Sequence, residues 1–402
     1  MDSLNLPTRR APFDSVSILI VKHTLGGEYS LNGVAEDVER FLLENGCRDL
    51  RVISFPLNQQ SEMVKLDRLI INSEIRKIKK RTARLRPPLS FAWQVLATRP
   101  GRSYDVVIGF NPAASMIAFR AAKRSGIRVT WRIDFVPPKS RGAILGSVAN
   151  AVERSVLKRT DVHIENSALA MQARSGIHPG RSDVTRHIAP VAAWPEWYAT
   201  SLPSKRPRKI VFLGGINVRT GSSILQGLVS NPVLARLGIS FEIIGGGSDL
   251  DQVRWSVHPE NIRSVVVHGP VKDEATITAI LAESRLALAP YASTEDSFTE
   301  FADPGKLKRY LAAGLPILTT EVPAIAQDLS VSGGAEIIQS NEPPEQWLLR
   351  VSQLIDNDDL LDARSREASR SAENFLSTSV YNGAWTVITD RLREQRSEQR
   401  GA

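Results

Sequence analysis

The run Asp303-Pro-Gly-Lys-Leu-Lys-Arg-Tyr-Leu-Ala-Ala-Gly-Leu-Pro316 gathers cations and backbone donors at the front of one short helix. Asp303 reads as its N-cap and Pro304 as the first helical residue, where a missing N–H costs nothing. Leu307, Tyr310 and Leu311 recur at three and four residues and form one buried face, while Gly314 stops the helix and Pro316 prevents its resumption. About ten residues of helix are expected. The free N–H groups and positive dipole end of such a front attract anions, and Lys306 in the first turn adds a cation. Every crossover helix in a parallel sheet has a front end, however, so the run alone leaves a phosphate site and an ordinary helix start both open.

The flanking segments set the position of this helix. Leu286-Ala-Leu-Ala-Pro-Tyr291 and Ile317-Leu-Thr-Thr320 are apolar, short and bounded by breakers, so both read as buried strands. In a strand–loop–helix–strand unit the helix front faces the carboxyl edge of the sheet. Strands are also expected at residues 16–21, 50–55, 105–109, 128–134 and 160–164 in the first half, and at 210–215, 241–247 and 265–269 in the second. Helices fall between them, one with Val34, Val38, Phe41 and Leu42 on its apolar face, others at 113–123 and 152–157, and one starting at Asn166-Ser167. Between residues 56 and 86 a long helical stretch is expected, strongly basic in its later part. The alternation is α/β throughout. The basic, proline-punctuated segment 201–209 separates two halves, giving lobes at 1–204 and 205–375. Two helices follow Ile338, and a last one occupies 376–402, with its polar tail after Arg393 expected to fray.

With 402 residues, 42% of them hydrophobic, the chain has enough material for two ordinary domains. A single cysteine, Cys47, excludes an internal disulfide framework and thiolate-rich zinc sites and points to a reducing compartment, the cytoplasm by default. Residues 1–14 are polar, and no stretch approaches about 18 uninterrupted apolar residues, so neither a signal nor a membrane span is expected. The formal charge of +8 and pI near 9.7 favour an anionic partner. Arg76, Lys77, Lys79, Lys80, Arg81, Arg84 and Arg86 follow one another without an acid, ahead of Leu89, Phe91 and Trp93. That composition suits an anionic membrane surface. A solvated basic face fits equally well. Nucleic acid is not expected, since neither stacking aromatics within the run nor a reader motif is present.

Asp249-Leu-Asp251 has the spacing of a metal–diphosphate pair, but it follows a strand and a glycine run, where an aspartate caps a helix. The histidines show no zinc-ligand spacing. Neither a metal nor another cofactor is expected.

The run 303–320 resembles the donor-binding segment of GT-B glycosyltransferases close to family 4, which reads proline, lysine, then EYLAAGLPVV. Arg309 stands where that family has the second glutamate of its E-x7-E motif, and Phe301 where it has the first, with Glu300 and Asp303 alongside. The resemblance implies donor contacts from Asp303, Pro304, Gly305, Lys306 and Arg309. Gly26-Gly27 resembles the glycine pair after the family's first strand. The loop Gly214-Gly215-Ile-Asn-Val-Arg219 is similar to its diphosphate-gripping loop, with Ile216 at the usual arginine and Arg219 the nearest cation. Val267-His268-Gly269-Pro270 matches a segment lining the nucleobase pocket. Trp131-Arg-Ile-Asp-Phe-Val-Pro137 resembles the acceptor-side strand and makes Asp134 the candidate polar group at the reacting sugar.

What the resemblance implies is an α/β protein of two Rossmann-like lobes in GT-B architecture, with a cleft between them and the last helix packed back on the first lobe. The donor is a nucleotide-sugar, bound mainly by the second lobe; the acceptor is a glycan or lipid-linked molecule, and retention of configuration is expected. Such an enzyme would be cytoplasmic or peripheral on the inner face of the membrane. Loss of both glutamates leaves a non-catalytic nucleotide- or glycan-binding relative as the first alternative. A GT-B sugar-nucleotide epimerase is the second.

Overall fold

The apolar runs become the strands of two parallel sheets. In a computed structural model, which describes residues 13, 15–25, 33–57, 62–84, 87–122, 125–136, 143–294 and 299–401, the chain divides into two units. Unit 1 comprises Met1–Pro190 with Thr378–Ala402, and unit 2 comprises Val191–Ser377.

Unit 1 contains β1 (Ser17–Leu25), α1 (Val34–Glu44), β2 (Asp49–Leu57), β3 (Glu62–Ile71), β4 (Glu74–Arg84), α2 (Pro87–Ala97), β5 (Tyr104–Phe110), α3 (Pro112–Ala121), β6 (Ser125–Arg132), α4 (Ala143–Leu157), β7 (Val162–Glu165), α5 (Ala168–Ile177) and β8 (Thr185–Ile188). Its sheet runs β4-β3-β2-β1-β5-β6-β7-β8. All neighbours from β2 to β8 are parallel, while β3 and β4 add an antiparallel hairpin at one edge. Leu19, Val21, Ile53, Phe55 and Val107 of the sheet pack on Ala114, Ile117 and Ala118 of α3. That helix is capped by Asn111, whose Oδ1 accepts the Ala114 N–H at 3.0 Å.

The expected long helix before residue 86 is instead this hairpin. Asn72 and Ser73 both take positive φ, 51° and 64°, the geometry that turns two antiparallel strands tightly. Charge explains the preference as well. A helix would stack the cations of 76–84 at three and four residues, where they repel, whereas a strand sends neighbours to opposite faces. Arg86 lies outside the described residues.

Unit 2 contains β9 (Lys209–Leu213), α6 (Ser222–Ser230), the single turn α7 (Val233–Arg236), β10 (Ser240–Ile244), α8 (Leu250–Trp255), β11 (Val265–Gly269), α9 (Glu274–Ala282), β12 (Leu286–Ala289), α10 (Gly305–Ala312), β13 (Ile317–Thr320), α11 (Ile325–Val331), β14 (Ala335–Ile338), α12 (Pro344–Ile355) and α13 (Asp358–Glu373). The sheet order is β11-β10-β9-β12-β13-β14, parallel throughout. Counted within the unit this is 3-2-1-4-5-6, the doubly wound nucleotide-binding order. One face of the sheet packs through Phe212, Phe241 and Leu288 on Leu225, Val253, Trp347 and Val351. The other packs through Val211, Ala287 and Ile317 on Ile277, Leu307, Tyr310 and Leu311. Helices on both faces explain why β12 and β13 read as unbroken apolar runs.

The unit begins at Val191, ahead of the basic segment 201–209, because the intervening residues bond into it. Ala193 exchanges backbone hydrogen bonds with Phe375 and Ser377, and Ala199 donates to the Ala312 carbonyl at 3.2 Å. Arg206 donates to the Ser284 and Ala313 carbonyls at 2.9 and 3.1 Å. The last helix, α14 (Ser377–Gly401), stays helical through Gly401, where fraying was expected after Arg393. Within unit 1 its Trp385 stacks on Phe13 at 5.0 Å, Tyr381 meets Phe41 at 5.4 Å, and Arg396 pairs with Asp105.

Candidate functional site

In unit 2 the strand order reverses between β9 and β12, and ligands of doubly wound sheets bind outside the carboxyl ends of the strands at such a point. Two glycines shape that edge. A Cβ on Gly221, at φ +82°, would lie 1.7 Å from the Pro290 carbonyl oxygen. On Gly245, at φ +144°, it would lie 1.8 Å from the Gly214 oxygen. No other residue lets these loops approach so closely.

Lys306, the second residue of α10, extends into this edge. Its Nζ lies 4.4 Å from the Phe212 ring centre, at the end of β9, and 4.3 Å from that of Tyr291, just past β12. The residue as a whole is only partly buried, but its ammonium is shut off from solvent and has no hydrogen-bond partner among the described residues. Burial pulls its pKa down to about 7. A turn later, the Tyr310 hydroxyl accepts the Leu213 N–H at 2.6 Å and fixes α10 against the same strand. The sequence marked Lys306 but not the two rings that hold it. Both belong to the ends of predicted strands, and that placement was the available signal.

The helix front differs from expectation. Pro304 occupies the N-cap position and Gly305 is the first helical residue. Asp303 does not cap. Its carboxylate accepts the Val191 N–H at 2.6 Å and pairs with Lys308, whose side chain is fully buried and lies 4.3 Å from the Phe375 ring centre. Arg309 pairs with Glu274, the first residue of α9, at 2.5 Å, and its guanidinium lies 4.3 Å over Trp197. Asp303 is therefore occupied by Lys308 rather than by Arg309. One cation of the helix is matched by each of two carboxylates, and Lys306 is left unmatched.

The remaining unit 2 candidates surround the edge unequally. Gly215 is exposed just past β9. Arg219 sits in the exposed single turn 218–220, where its N–H bonds to Asn217 Oδ1 at 3.0 Å and its carbonyl accepts the Ala292 N–H at 3.0 Å, next to Tyr291. His268 pairs with Glu242 of β10, and Gly269 takes φ +75° at the end of the edge strand β11. Asp249 accepts the Ser222 and Ser248 hydroxyls at 2.5 and 2.7 Å and makes no side-chain cap. Asp251 meets Arg254 at 3.5 Å. Among the described residues no cluster has the makings of a metal site.

In unit 1, Asp134 lies two residues past β6, at the carboxyl edge. Its carbonyl accepts from Arg174 Nη2 at 2.8 Å, and the Arg174 guanidinium covers the Phe135 ring at 5.2 Å. Arg174 pairs with Glu165 and with Glu153 at 3.1 Å, Glu153 pairs with Arg132 at 2.6 Å, and His163 bonds Glu165 at 2.9 Å. The neighbouring cations hold both carboxyls below their usual range against the upward push of burial. This network escaped the sequence reading, though a charge at the end of an apolar strand, as at Arg132 and Glu165, was its visible trace. Gly26 and Gly27 lie outside the described residues.

Comparison with known proteins follows the same division. Residues 207–357 match the family model of glycosyl transferases group 1. They form a glycosyl transferases group 1 domain. With that domain in unit 2 the chain is a glycosyltransferase. Solved structures give the fold, GT-B. WaaG, a glycosyltransferase involved in lipopolysaccharide biosynthesis, superposes with a TM-score of 0.64 at 16% identity, over 92% of this chain and 99% of its own. Anabaena HepE in complex with UDP gives 0.62 at 13%, over 93% and 100%. Sucrose-phosphate synthase from Thermosynechococcus elongatus gives 0.62 at 10%, over 96% and 100%. No curated protein matches the sequence.

Proposed function

We propose that the group 1 domain binds a nucleotide-sugar at the carboxyl edge of β9 and β12, with Lys306 on the diphosphate, and that the enzyme transfers the sugar to a glycan or lipid-linked acceptor. The observation that carries this reading is the unmatched Lys306 ammonium at the switch point. A buried cation without an acceptor is costly unless a ligand supplies one. HepE, of the same fold, holds UDP. In the transfer, the anomeric carbon exchanges its bond to a diphosphate oxygen for one to an acceptor oxygen. The negative charge gained by the leaving diphosphate balances the proton lost by the acceptor hydroxyl. The α10 front end, the Gly305 N–H, Lys306 and Arg219 stabilise that charge without a metal. Asp134 is the polar group assigned to the acceptor side, and retention is the stereochemical outcome proposed. The pathway proposed is synthesis of cell-surface polysaccharide or glycoconjugate, on the cytoplasmic side and peripheral to the membrane. Among the described residues no helix is long and apolar enough to cross a membrane.

A thermal-shift panel of UDP-, GDP- and ADP-sugars tests the reading, since a ligand at about 100 times its dissociation constant adds about 2.7 kcal/mol. The expected result is stabilisation by one nucleotide class, and no shift with any would refute it. Arg309, at a glutamate position and committed to Glu274 and Trp197, favours a second reading in which nucleotide binds without turnover. Stabilisation without transfer or hydrolysis would select it.

A further inference from the structure

Under the carboxyl ends of β6 and β7 in unit 1 five polar side chains are buried together. Arg132 and Glu165 are register partners on these neighbouring parallel strands, so they leave the sheet on the same face, and His163, two residues before Glu165, shares it. Glu153 of α4 and Arg174 of α5 meet them there. None of the five is more than 3% exposed. Two guanidinium groups balance two carboxylates. Burial lowers the His163 pKa, which leaves the ring neutral as a donor to Glu165 at 2.9 Å.

Packing of α4 and α5 on the sheet does not account for this arrangement. Arg132 Nε and Nη1 and Glu165 Oε2 are shut off from solvent without a hydrogen-bond partner among the described residues. A half-satisfied buried network is less favourable than an apolar core of the same volume, so stability is a poor reason for it. Arg174, in contrast, uses all three of its nitrogens. Nε meets Glu165, Nη1 meets Glu153 at 3.1 Å, and Nη2 leaves the network to donate to the Asp134 carbonyl at 2.8 Å. Its guanidinium also covers the Phe135 ring at 5.2 Å. Asp134 and Phe135 lie past the end of the ladder that β6 makes with β7. Glu153 is itself tied to Arg132 at 2.6 Å, so Arg174 is gripped from a helix and a strand at once.

We propose that Arg174 is a positioning residue for sugar transfer, fixing Asp134 and Phe135 so that the Asp134 carboxylate meets the acceptor hydroxyl in one orientation. The buried charges hold the guanidinium rigid, and the guanidinium holds the loop. Such preorganisation matters because displacing a reacting group by about 1 Å can cost roughly a hundredfold in rate. The inference rests on the acceptor role proposed for Asp134, and its test separates the two.

The test compares Arg174→Lys, Asp134→Asn and the two combined in the full chain, with Arg174→Met plus Glu165→Gln as a second way to remove the clamp. Lysine keeps a cation between Glu153 and Glu165, but its one nitrogen cannot meet three acceptors that a guanidinium meets with three. The paired substitution removes one charge of each sign and keeps the Arg132–Glu153 pair, which protects folding if lysine does not. Hydrogen exchange at the amides of residues 133–136 should quicken by roughly tenfold or more in both. Turnover is read as release of nucleoside diphosphate from the nucleotide-sugar that stabilises wild type best, with methyl glucoside, galactoside and mannoside as acceptors. It should fall by roughly 10- to 100-fold in Arg174→Lys, with donor affinity held within about twofold. A purely structural role would lower the melting temperature and leave the turnover of folded protein alone. On top of Asp134→Asn the lysine should slow turnover no further, because both act through one carboxylate. Unchanged exchange at 133–136, full turnover in Arg174→Lys, or an undiminished lysine effect in the combined variant overturns the proposal. Full turnover in Asp134→Asn, or none in wild type, refutes the acceptor role instead, and exchange then decides the clamp.

Discussion

Lys306 directs its ammonium at the ring of Tyr291, 4.3 Å from the centre, and no oxygen among the described residues accepts a hydrogen bond from it. Phe212 closes the other side at 4.4 Å. Two ring faces attract a cation, by about 0.5–2 kcal/mol each when desolvated, but do not replace the hydrogen bonds given up to water. Two residues along the helix Lys308 is also buried, and there Asp303 answers it. The contrast separates a structural lysine from one held ready for an anion.

The pH dependence follows from the Lys306 pKa, which is lowered to about 7 in the folded chain against 10.5 for a free lysine. Between those values the unfolded chain binds the extra proton, so stability contributed at this position rises with pH across that window. Phe212 and Tyr291 face the ammonium, and among the described residues it has no hydrogen-bond partner. A diphosphate favours the charged form, so donor binding at about pH 8 should take up a proton. Calorimetry in two buffers of different ionisation enthalpy should give different observed heats. Equal heats would show that Lys306 does not meet the phosphate.

Lys308→Met leaves Asp303 buried without its cation and should cost about 3–5 kcal/mol of stability, as breaking a buried pair does. Denaturant unfolding measures this. Donor affinity of the folded variant should stay within about threefold of wild type, because Asp303 serves the Val191 N–H and Lys308 rather than the ligand.

Parts of this were legible in the sequence for physical reasons. β12 and β13 are apolar runs between breakers, and Leu307, Tyr310 and Leu311 keep helical spacing, so the strand–helix–strand unit was visible. The hairpin was not. Its cations satisfy either period, and the deciding turn at Asn72-Ser73 rests on positive φ, which those residue types permit without requiring it. The partners of Asp303 and Arg309 were equally hidden, because Val191 and Glu274 are distant in sequence and only tertiary packing brings them near.

Arg309→Met tests that second assignment. It removes the Glu274 pair and the Trp197 stack, in which Glu274 is exposed while Arg309 and Trp197 are partly buried. Donor affinity should change by less than about threefold, with a stability loss of about 1 kcal/mol. Loss of donor binding would make the arginine a principal contact.

Asp134→Asn should lower transfer by about 10²–10⁴-fold if the carboxylate handles the acceptor proton. Asp134 belongs to unit 1 and the proposed donor site to unit 2, so donor affinity should hold. Unchanged transfer by a folded variant would remove Asp134 from the reaction.

The most direct measurement is donor calorimetry on Lys306→Met with the nucleoside diphosphate that stabilises wild type best. Methionine fills the space between Phe212 and Tyr291 while removing the unmatched charge, so the variant should melt no lower than wild type. Affinity should fall by roughly 10- to 150-fold, equivalent to about 1.5–3 kcal/mol for hydrogen bonds to a charged group. Wild-type affinity in Lys306→Met would contradict the account and move the phosphate away from the crevice between β9 and β12.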